Sequence, residues 1–540
     1  MHRRTFLKAL LQLPAGGYLL CRPLSRVLAN PVSKRRFVDL HCHFFNAADL
    51  PVRGFLERVV LADYAAGQAR AAQTGIGIGV WRGLVAKLTD LMLRQRAPTP
   101  KKELDFLRAT AGTAGASRQM IRGLVHKNAP ESYPSKEILA EVLGSAQQAQ
   151  RPSAESVAPL ERAVPRAPGG GSDTDEFADF VRQEMRGVQE FTPAEKLRGL
   201  EAPGPSAAAP QAPASAQSIA AFIASGRSFF SRYFQWAGLL TDYRANIAER
   251  YRKLYDPENT RVALVTPALI DFNFWLNDQS PAPLREQIEV MSLLSLRLPF
   301  PMHGFVPFDP LREVRRLPGE DSSLRIVKDA IRRHGFLGVK LYSPMGFRPA
   351  KNAELGFPFP APAGGKELGK RLDDALDGLY AWCEREQVPI LAHSTDSQSA
   401  GPDFASRAEP KFWLSVLEKY PRLRVNLAHF GNFNQAFAGA NGSDPESHYE
   451  KTWEYEIGEF IRGRHFRNVY ADISYFYWVL DGKAETQKTL AVKRMFAKYL
   501  ESDPNVEHLL FGTDWNMTGK AQNLDGYVDN VEAFFKDLGL

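Results

Sequence analysis

The stretch FVDLHCHFF, residues 37–45, has the alternating pattern of a β-strand and carries two histidines one residue apart. Because successive side chains of a strand point to opposite faces, Asp39, His41 and His43 are predicted to share one face. The apolar side chains between them would pack beneath a layer of helices. Buried imidazole nitrogens need partners, which are either backbone groups and water or a metal ion. The choice depends on whether further metal ligands follow at the ends of later strands.

Seven more short apolar runs follow from residue 261 onward, and helical patterns separate them. They are RVALVTPALID (261–271), HGFVPFDP (303–310), GFLGVKLYSP (335–344), VPILAHS (388–394), RVNLAHFG (424–431), NVYADIS (468–474) and EHLLFGTDW (507–515). One intervening segment places Leu372, Leu376 and Leu379 on a single helical face. Alternating strands and helices predict a parallel α/β fold. Eight such strands predict a (β/α)8 TIM barrel, whose active site lies at the C-terminal ends of the strands.

The N-terminal residues 1–29 resemble an export signal. The run Arg3-Arg4-Thr5-Phe6-Leu7-Lys8 matches the twin-arginine consensus, an apolar region follows, and Val27-Leu28-Ala29 offers a cleavage site. We therefore expect a signal peptide that engages the twin-arginine export machinery and delivers a folded protein to the periplasm. Proline and glycine interrupt the apolar region, which is shorter than the about 20 residues of a membrane span, so a retained anchor is the weaker alternative.

Charge and cysteine content narrow the classes of function. The 540 residues carry a net charge of +7, but residues 1–29 hold five basic and no acidic residues, so the remainder carries +2. No basic block remains, which argues against a nucleic-acid partner. Outside the leader the cysteines are Cys42 and Cys383, so no disulfide framework is expected. The absence of a disulfide framework fits the twin-arginine route, which exports proteins that have already folded in the reducing cytoplasm, often around a cofactor.

The segment between the first strand and the helix before the second strand differs in composition from the rest. We assign residues 30–46 and 241–540 to the barrel and residues 47–240 to a large, mostly helical insertion. Its parts near 145–172 and 201–218 are rich in Pro, Ala, Gly and Ser and are predicted to be flexible, because they cannot bury enough apolar surface to fold. The insertion would emerge on the catalytic face as a lid, a specificity element or an oligomer contact.

Polar side chains also stand at the C-terminal ends of four later strands. These residues are Lys340 in GFLGVKLYS, His393 in PILAHS, His429 in NLAHFG and Asp514 in FGTDW. A buried lysine on the inner face of a strand is costly. Each residue singly has an ordinary structural explanation, such as a hydrogen-bonded core histidine or, for Asp514, a helix N-cap. Together with the two histidines of the first strand they predict a metal centre, because a catalytic metal takes about three protein ligands.

With these residues in this order, the chain resembles the amidohydrolase superfamily, in the branch that contains aminocarboxymuconate-semialdehyde decarboxylase and related metal-dependent hydrolases. The resemblance covers residues 37–46 and about 255–540 and leaves out the insertion. It implies a site for a divalent metal, most often zinc, formed by His41, His43, His393 and Asp514. It implies further that His429 contacts substrate or a second metal, and that Lys340 is either a carboxylated lysine bridging two metals or a substrate contact. The branch mostly works with one metal, so we expect one zinc, with two metals as the alternative.

The expected chemistry follows from this ligand set. A bound zinc lowers the pKa of its water to about 7, Asp514 can accept and pass on the proton, and His429 can stabilise developing oxyanion charge. Arg348 in the loop PMGFRP, with Asp472 and Asn432 as weaker candidates, would contact a small-molecule substrate and could pair with its carboxylate. The predicted function is a metal-dependent hydrolase of an amide, a lactone or a related C–N or C–O bond. The alternatives are non-oxidative decarboxylation of an aromatic or muconate-like acid, and a non-catalytic barrel that binds metal or ligand.

Overall fold

The computed structural model describes residues 36–60, 90, 93, 97–109 and 239–540, apart from short gaps at 317–318, 356–366, 397–398, 402–403, 441–443, 480–485 and 519–525. The predicted leader and the two segments predicted to be flexible lie outside the described residues. Within the described ranges, no helix combines the length and the apolar composition that a membrane span needs.

Eight parallel strands occur in the described residues, one in each of the predicted apolar runs. They are β1 Phe37–Cys42, β2 Val262–Pro267, β3 Phe305–Pro307, β4 Gly338–Leu341, β5 Ile390–His393, β6 Val425–Ala428, β7 Val469–Asp472 and β8 Leu509–Leu510. β1 pairs with β2 in one sheet, and β3 to β8 pair in sequential order in a second sheet. The prediction of parallel strands in these runs is confirmed.

Further backbone contacts join the two sheets at both edges. Two isolated parallel bridges join β2 to the region of β3. One pairs Val265 of β2 with Met302, which precedes β3, and the other pairs Ala268, which follows β2, with Phe305 of β3. On the other side, the amide of Leu40 in β1 donates to the carbonyl of Phe511, just after β8, at 3.0 Å. The amide of Asp514 donates to the carbonyl of His41 at 2.7 Å. These contacts bring the first strand against the segment that follows the last.

The α-helices of the described residues lie mostly between consecutive strands. They are α1 Val52–Phe55, α2 Pro100–Ala109, α3 Arg244–Tyr255, α4 Asn273–Leu276, α5 Leu284–Arg297, α6 Pro310–Arg315, α7 Ser323–Arg333, α8 Glu367–Glu386, α9 Leu414–Lys419, α10 Asn434–Ala440, α11 Trp453–Arg462, α12 Gln487–Leu500 and α13 Tyr527–Asp537. In α8, Leu372, Leu376 and Leu379 are buried together, as their spacing predicts. Side chains of these helices and of the strands form the main hydrophobic core.

A buried ionic cluster ties the described part of segment 47–240 to the rest of the fold. Arg244, the first residue of α3, donates from Nε to Oδ2 of Asp49 and from Nη1 to Oε2 of Glu103 in α2, both at 2.7 Å. Glu103 also accepts from the amide of Ala245 at 3.1 Å, at a helix start where Tyr243 supplies no side-chain cap. Helix α2 is therefore docked, while the predicted boundaries and role of the insertion stay predictions.

The first strand departs from regular alternation. Its pairing with β2 shifts register after Asp39. Asp39 accepts a hydrogen bond from the hydroxyl of Tyr251 in α3 at 2.9 Å and another from the hydroxyl of Thr513 at 2.6 Å. Asp39 thus turns toward a helix, because the irregularity interrupts the two-residue period. The expectation that Asp39 shares a face with His41 and His43 is wrong.

Candidate metal centre

The C-terminal ends of the strands gather a set of polar side chains that are at most 6% exposed. They are His41, His43, Lys340, His393, His429, Asp472 and Asp514. Two groups among the described residues could hold a metal ion, with ligand atoms within 4.8 Å of one another: His41 with His43 and Asp514, and His41 with His429 and Asp472. Three of the four ligands implied by the resemblance therefore meet in one group.

His43 and Asp514 face each other in a way that a cation would stabilise. Nδ1 of His43 lies 2.8 Å from the carbonyl oxygen of Ala268, so Nδ1 is the donor in this contact and Nε2 is the ring nitrogen that faces Asp514. Nε2 lies 3.2 Å from Oδ1 of Asp514, a buried oxygen that no donor among the described residues satisfies. A buried ring nitrogen and a buried carboxylate oxygen at this distance fit the ligand atoms of a metal ion.

A carboxylate and a hydroxyl orient the ring of His41 through its Nδ1 atom. Its Nδ1 lies 2.8 Å from Oγ of Ser474 and 3.4 Å from Oδ1 of Asp472. Its Nε2 lies 3.1 Å from Nζ of Lys340 and 4.0 Å from Oδ1 of Asp514. Burial and the Lys340 ammonium lower the pKa of His41 to about 3, despite the opposing effect of Asp472. The ring is therefore neutral at neutral pH, which is the form that binds a metal.

Asp472, the last residue of β7, organises the surroundings of the histidines. Its Oδ1 accepts from the hydroxyl of Ser474 and from the amide of His429, the latter at 3.1 Å, and its Oδ2 accepts from Asn426 at 2.8 Å. Both oxygens are occupied, so we expect Asp472 to orient His41, and its predicted contact with substrate stays untested. Ser474 also reaches Nδ1 of His429 at 2.9 Å. Sequence reasoning missed Ser474, although its spacing of two from Asp472 was an available signal.

His393 and His429 form a second pair at the ends of β5 and β6. Nδ1 of His393 lies 3.1 Å from Nε2 of His429, whereas Nε2 of His393 is buried without a partner in the described part of the chain. Burial lowers the pKa of both rings. Tyr342 stacks on His393 with ring centroids 4.2 Å apart. His393 belongs to neither group of converging ligand atoms, so its role as a ligand stays a prediction.

Strained backbone surrounds these side chains. Residues 429–433, which follow β6, all have φ between 48° and 69°, and Asp514 has φ 51°. Beneath this loop Glu454 accepts a hydrogen bond from the amide of Phe433. A Cβ at Gly431 would lie 2.6 Å from Oε1 of Glu454, so the close approach requires glycine. Backbone conformations of this kind cluster at functional sites.

The C-terminal part of the chain is similar to a known family. Residues 313–535 match the amidohydrolase family. The match covers less than half of the chain; it includes His393, His429 and Asp514 and leaves out the two histidines of β1. No curated protein matches the chain.

Two solved structures are similar to part of the chain. An amidohydrolase from Burkholderia multivorans with bound HEPES has 13% sequence identity and a TM-score of 0.35, over 56% of this chain and 84% of its own. A 2,6-dihydroxybenzoate decarboxylase in complex with 2,6-dihydroxybenzoate has 13% identity and a TM-score of 0.33, over 56% of this chain and 85% of its own. TM-scores this low carry no argument about the fold or the reaction of this chain.

Lys340 is a buried cation beside His41. Its Nζ lies 3.1 Å from Nε2 of His41 and 5.8 Å from the ring centroid of Tyr342. Burial lowers the pKa of Lys340 to about 8, although Asp472 and Asp514 favour the charged form. A neutral amine is the form that can react with CO2. Both predicted roles of Lys340, a carboxylated ligand and a substrate contact, stay predictions.

Arg348 and Asn432 contact residues other than the ligand group, by which we mean His41, His43 and Asp514. The guanidinium of Arg348 lies 4.3 Å from the ring centroid of Phe412, and its amide bonds to the side chain of Asn352 at 2.8 Å. The side-chain amide of Asn432 donates to the carbonyl of Tyr475 at 3.2 Å. Nε of Arg348 and Oδ1 of Asn432 are buried without partners among the described residues. Their predicted contact with substrate stays untested.

Proposed function

We propose that the chain is a metal-dependent hydrolase of the amidohydrolase type that uses one zinc ion. The observation that carries the proposal is the convergence of His41, His43 and Asp514, in which Nε2 of His43 and the unsatisfied Oδ1 of Asp514 lie 3.2 Å apart. Imidazole and carboxylate ligands suit zinc. The substrate bond is proposed to be an amide, a lactone or a related C–N or C–O bond.

We also propose that the eight strands close into a (β/α)8 barrel. Ala268 after β2, Phe305 in β3, Leu391 in β5 and Ala428 in β6 share one small buried cluster. In an open sheet, β2 and β6 would lie four strands apart, or roughly 19 Å. A closed ring removes that separation. The hydrogen bond between β1 and the segment after β8 supports the same conclusion.

The side chains around the ligands suit a hydrolytic reaction. A bound zinc would supply an activated water and polarise the bond to be cleaved. Oδ1 of Asp514 has no donor among the described residues, so this carboxylate can hold a proton in transit. His429 is held by Ser474 and is the candidate for stabilising negative charge on a substrate oxygen. Because these groups are buried, their electrostatic effects are stronger than in water.

Metal analysis of purified protein tests the proposal. The parent chain should hold about one equivalent of a transition metal, and His43→Ala should lose it. His508→Ala is a matched control, because Nδ1 of His508 also bonds a backbone carbonyl, that of Val469, at 2.6 Å, but His508 precedes β8 and lies at the opposite end of the strands. A folded parent without metal, or equal metal loss in both variants, would reject the proposal.

A substrate panel separates the hydrolase from its alternatives. Lactones and amides should be cleaved, whereas CO2 release from aromatic carboxylates would favour the decarboxylase. Metal binding without turnover of either class would favour the non-catalytic barrel. The periplasmic location also stays a proposal, and replacing Arg3 and Arg4 with lysine should keep the chain in the cytoplasm.

A further inference from the structure

A narrow cleft adjoins Lys340 at the ends of β2, β3 and β4. Aromatic rings form much of its lining, among them those of Phe272, Trp275, Tyr342 and Phe347. Trp275 stacks on Phe347 with centroids 5.6 Å apart, and Phe272 meets Tyr342 edge-on at 4.9 Å. The walls are therefore fixed by contacts among the rings. Two carboxyl groups, Asp271 and Asp309, also line the cleft, as does Lys340.

The two carboxyl groups differ in what they bind. Asp271 accepts from two nitrogens of Arg312, Nε and Nη2, the latter at 2.9 Å. Oδ1 of Asp309 accepts from the indole of Trp275 at 2.7 Å and from the amide of Leu311 at 2.8 Å. Oδ2 of Asp309 is buried and has no partner among the described residues. Asp309 is 3% exposed, so bulk water does not readily replace the missing donor.

Oδ2 of Asp309, which has no donor among the described residues, favours a positively charged ligand group. A buried acceptor without a donor is costly. Burial and the neighbouring Asp271 raise the pKa of Asp309 to about 7, although Arg312 acts in the opposite direction. A cationic donor beside Oδ2 would remove this cost, and an anion there would add repulsion. The Lys340 ammonium, which also lines the cleft, acts in the opposite direction. The faces of the aromatic rings also attract cations.

We propose that Asp309 is a specificity residue that binds a protonated amine of the substrate through Oδ2. This inference rests on the proposed function, because it assigns the cleft to the substrate of the candidate metal centre. Lys340 connects the two places: it lines the cleft, and its Nζ lies 3.1 Å from Nε2 of His41. An amine held by Asp309 would therefore leave the rest of the substrate directed toward the ligand group.

Two ligands of nearly the same shape test the proposal, benzylamine and benzyl alcohol. Calorimetric titration of the full chain with its metal should show benzylamine binding about 10-fold or more tightly than the alcohol, the usual gain from a charged hydrogen bond. Asp309→Asn should remove that preference and leave alcohol binding within about twofold. Asparagine keeps an oxygen for Trp275 and for the helix cap. It places an amide nitrogen where Oδ2 was.

Asp444→Asn is the matched control. Asp444 also precedes a proline and caps the following turn by accepting from the amide of Glu446, at 3.2 Å, but it is exposed. This variant should bind both ligands as the parent does. Equal benzylamine affinity in Asp309→Asn and the parent would overturn the proposal, because the amine would then be held elsewhere, for example by the metal, or ordered water would already satisfy Oδ2.

If Asp309→Asn does not fold, a crystal structure of the unaltered protein with benzylamine decides. An ammonium within about 3 Å of Oδ2 of Asp309 supports the proposal, and any other placement refutes it. The two proposals fail separately. A metal-free chain that still prefers the amine would reject the hydrolase and keep the amine site, and a metal-loaded chain without the preference would do the reverse.

Discussion

Replacing Arg244 with methionine should show how much the buried ionic cluster contributes to the free energy of unfolding. The substitution removes the guanidinium that lies between Asp49 and Glu103, and all three side chains are at most 2% exposed. Losing one partner of a buried ion pair costs about 3–5 kcal/mol. Here two carboxylates lose their cation, but protonation limits the loss, because burial already raises the pKa of Glu103. We therefore expect a loss within that range.

The assay is urea unfolding followed by circular dichroism, with Arg261→Met as the control. Arg261 pairs with Asp529 at 2.7 Å, and these side chains are 31% and 66% exposed. Breaking such a surface pair should cost about 0–1 kcal/mol. If the two variants differ by less than about 1 kcal/mol, the reasoning is refuted.

A rescue experiment identifies the cause of the loss. Adding Asp49→Asn and Glu103→Gln to Arg244→Met removes the uncompensated charges and should recover part of the stability. A triple variant that is less stable than Arg244→Met would show that packing and hydrogen bonding, rather than charge, dominate.

Three further predictions concern Ser474 and Lys340 in the candidate metal centre and Glu454 beneath the loop 429–433. Ser474→Ala should weaken metal affinity by about 10–100-fold, because the hydroxyl orients two histidines; competition with a chelator measures this, and unchanged affinity would contradict it. Lys340→Ala should raise the KM for the substrate and change the metal content little. Loss of the metal in this variant would instead favour the role of Lys340 as a carboxylated metal ligand. Burial raises the pKa of Glu454 from 4.5 to about 8, so the folded state binds the proton more tightly and stability falls as pH rises through that interval. Glu454→Gln should make this fall smaller without removing it, because Asp309 also has a raised pKa; urea unfolding at about pH 5 and about pH 9 would show the difference.

The strands were predictable because of how parallel strands are buried. Side chains on both faces of such strands are covered, so each strand reads as a continuous apolar run. The run GFLGVKLYSP contains β4, and VPILAHS contains β5. The orientation of Asp39 was not predictable in the same way, because a register shift in β1 depends on its pairing with β2.

The ligand candidates were predictable from their positions, but their relations to one another were not. His41, His43 and Asp514 follow apolar runs, and the structure brings them together. Ser474 follows a strand as many loop serines do, and its role becomes visible only when the fold brings His41 and His429 to the end of β7. The acceptor role of Asp309 likewise depends on Trp275, which leaves one oxygen without a donor. Such pairings are set by packing among elements that are distant in sequence.

The hydrogen bonds between β1 and the segment after β8 can form only late in the synthesis of the chain. Asp39 and Thr513 are bonded although they lie 474 residues apart. At about 5–20 residues per second, roughly 24–95 s separate their emergence from the ribosome. Throughout that interval β1 exposes one edge to pairing with other chains. A metal held by both His43 and Asp514 could be bound only after Asp514 has emerged, late in the synthesis of the chain.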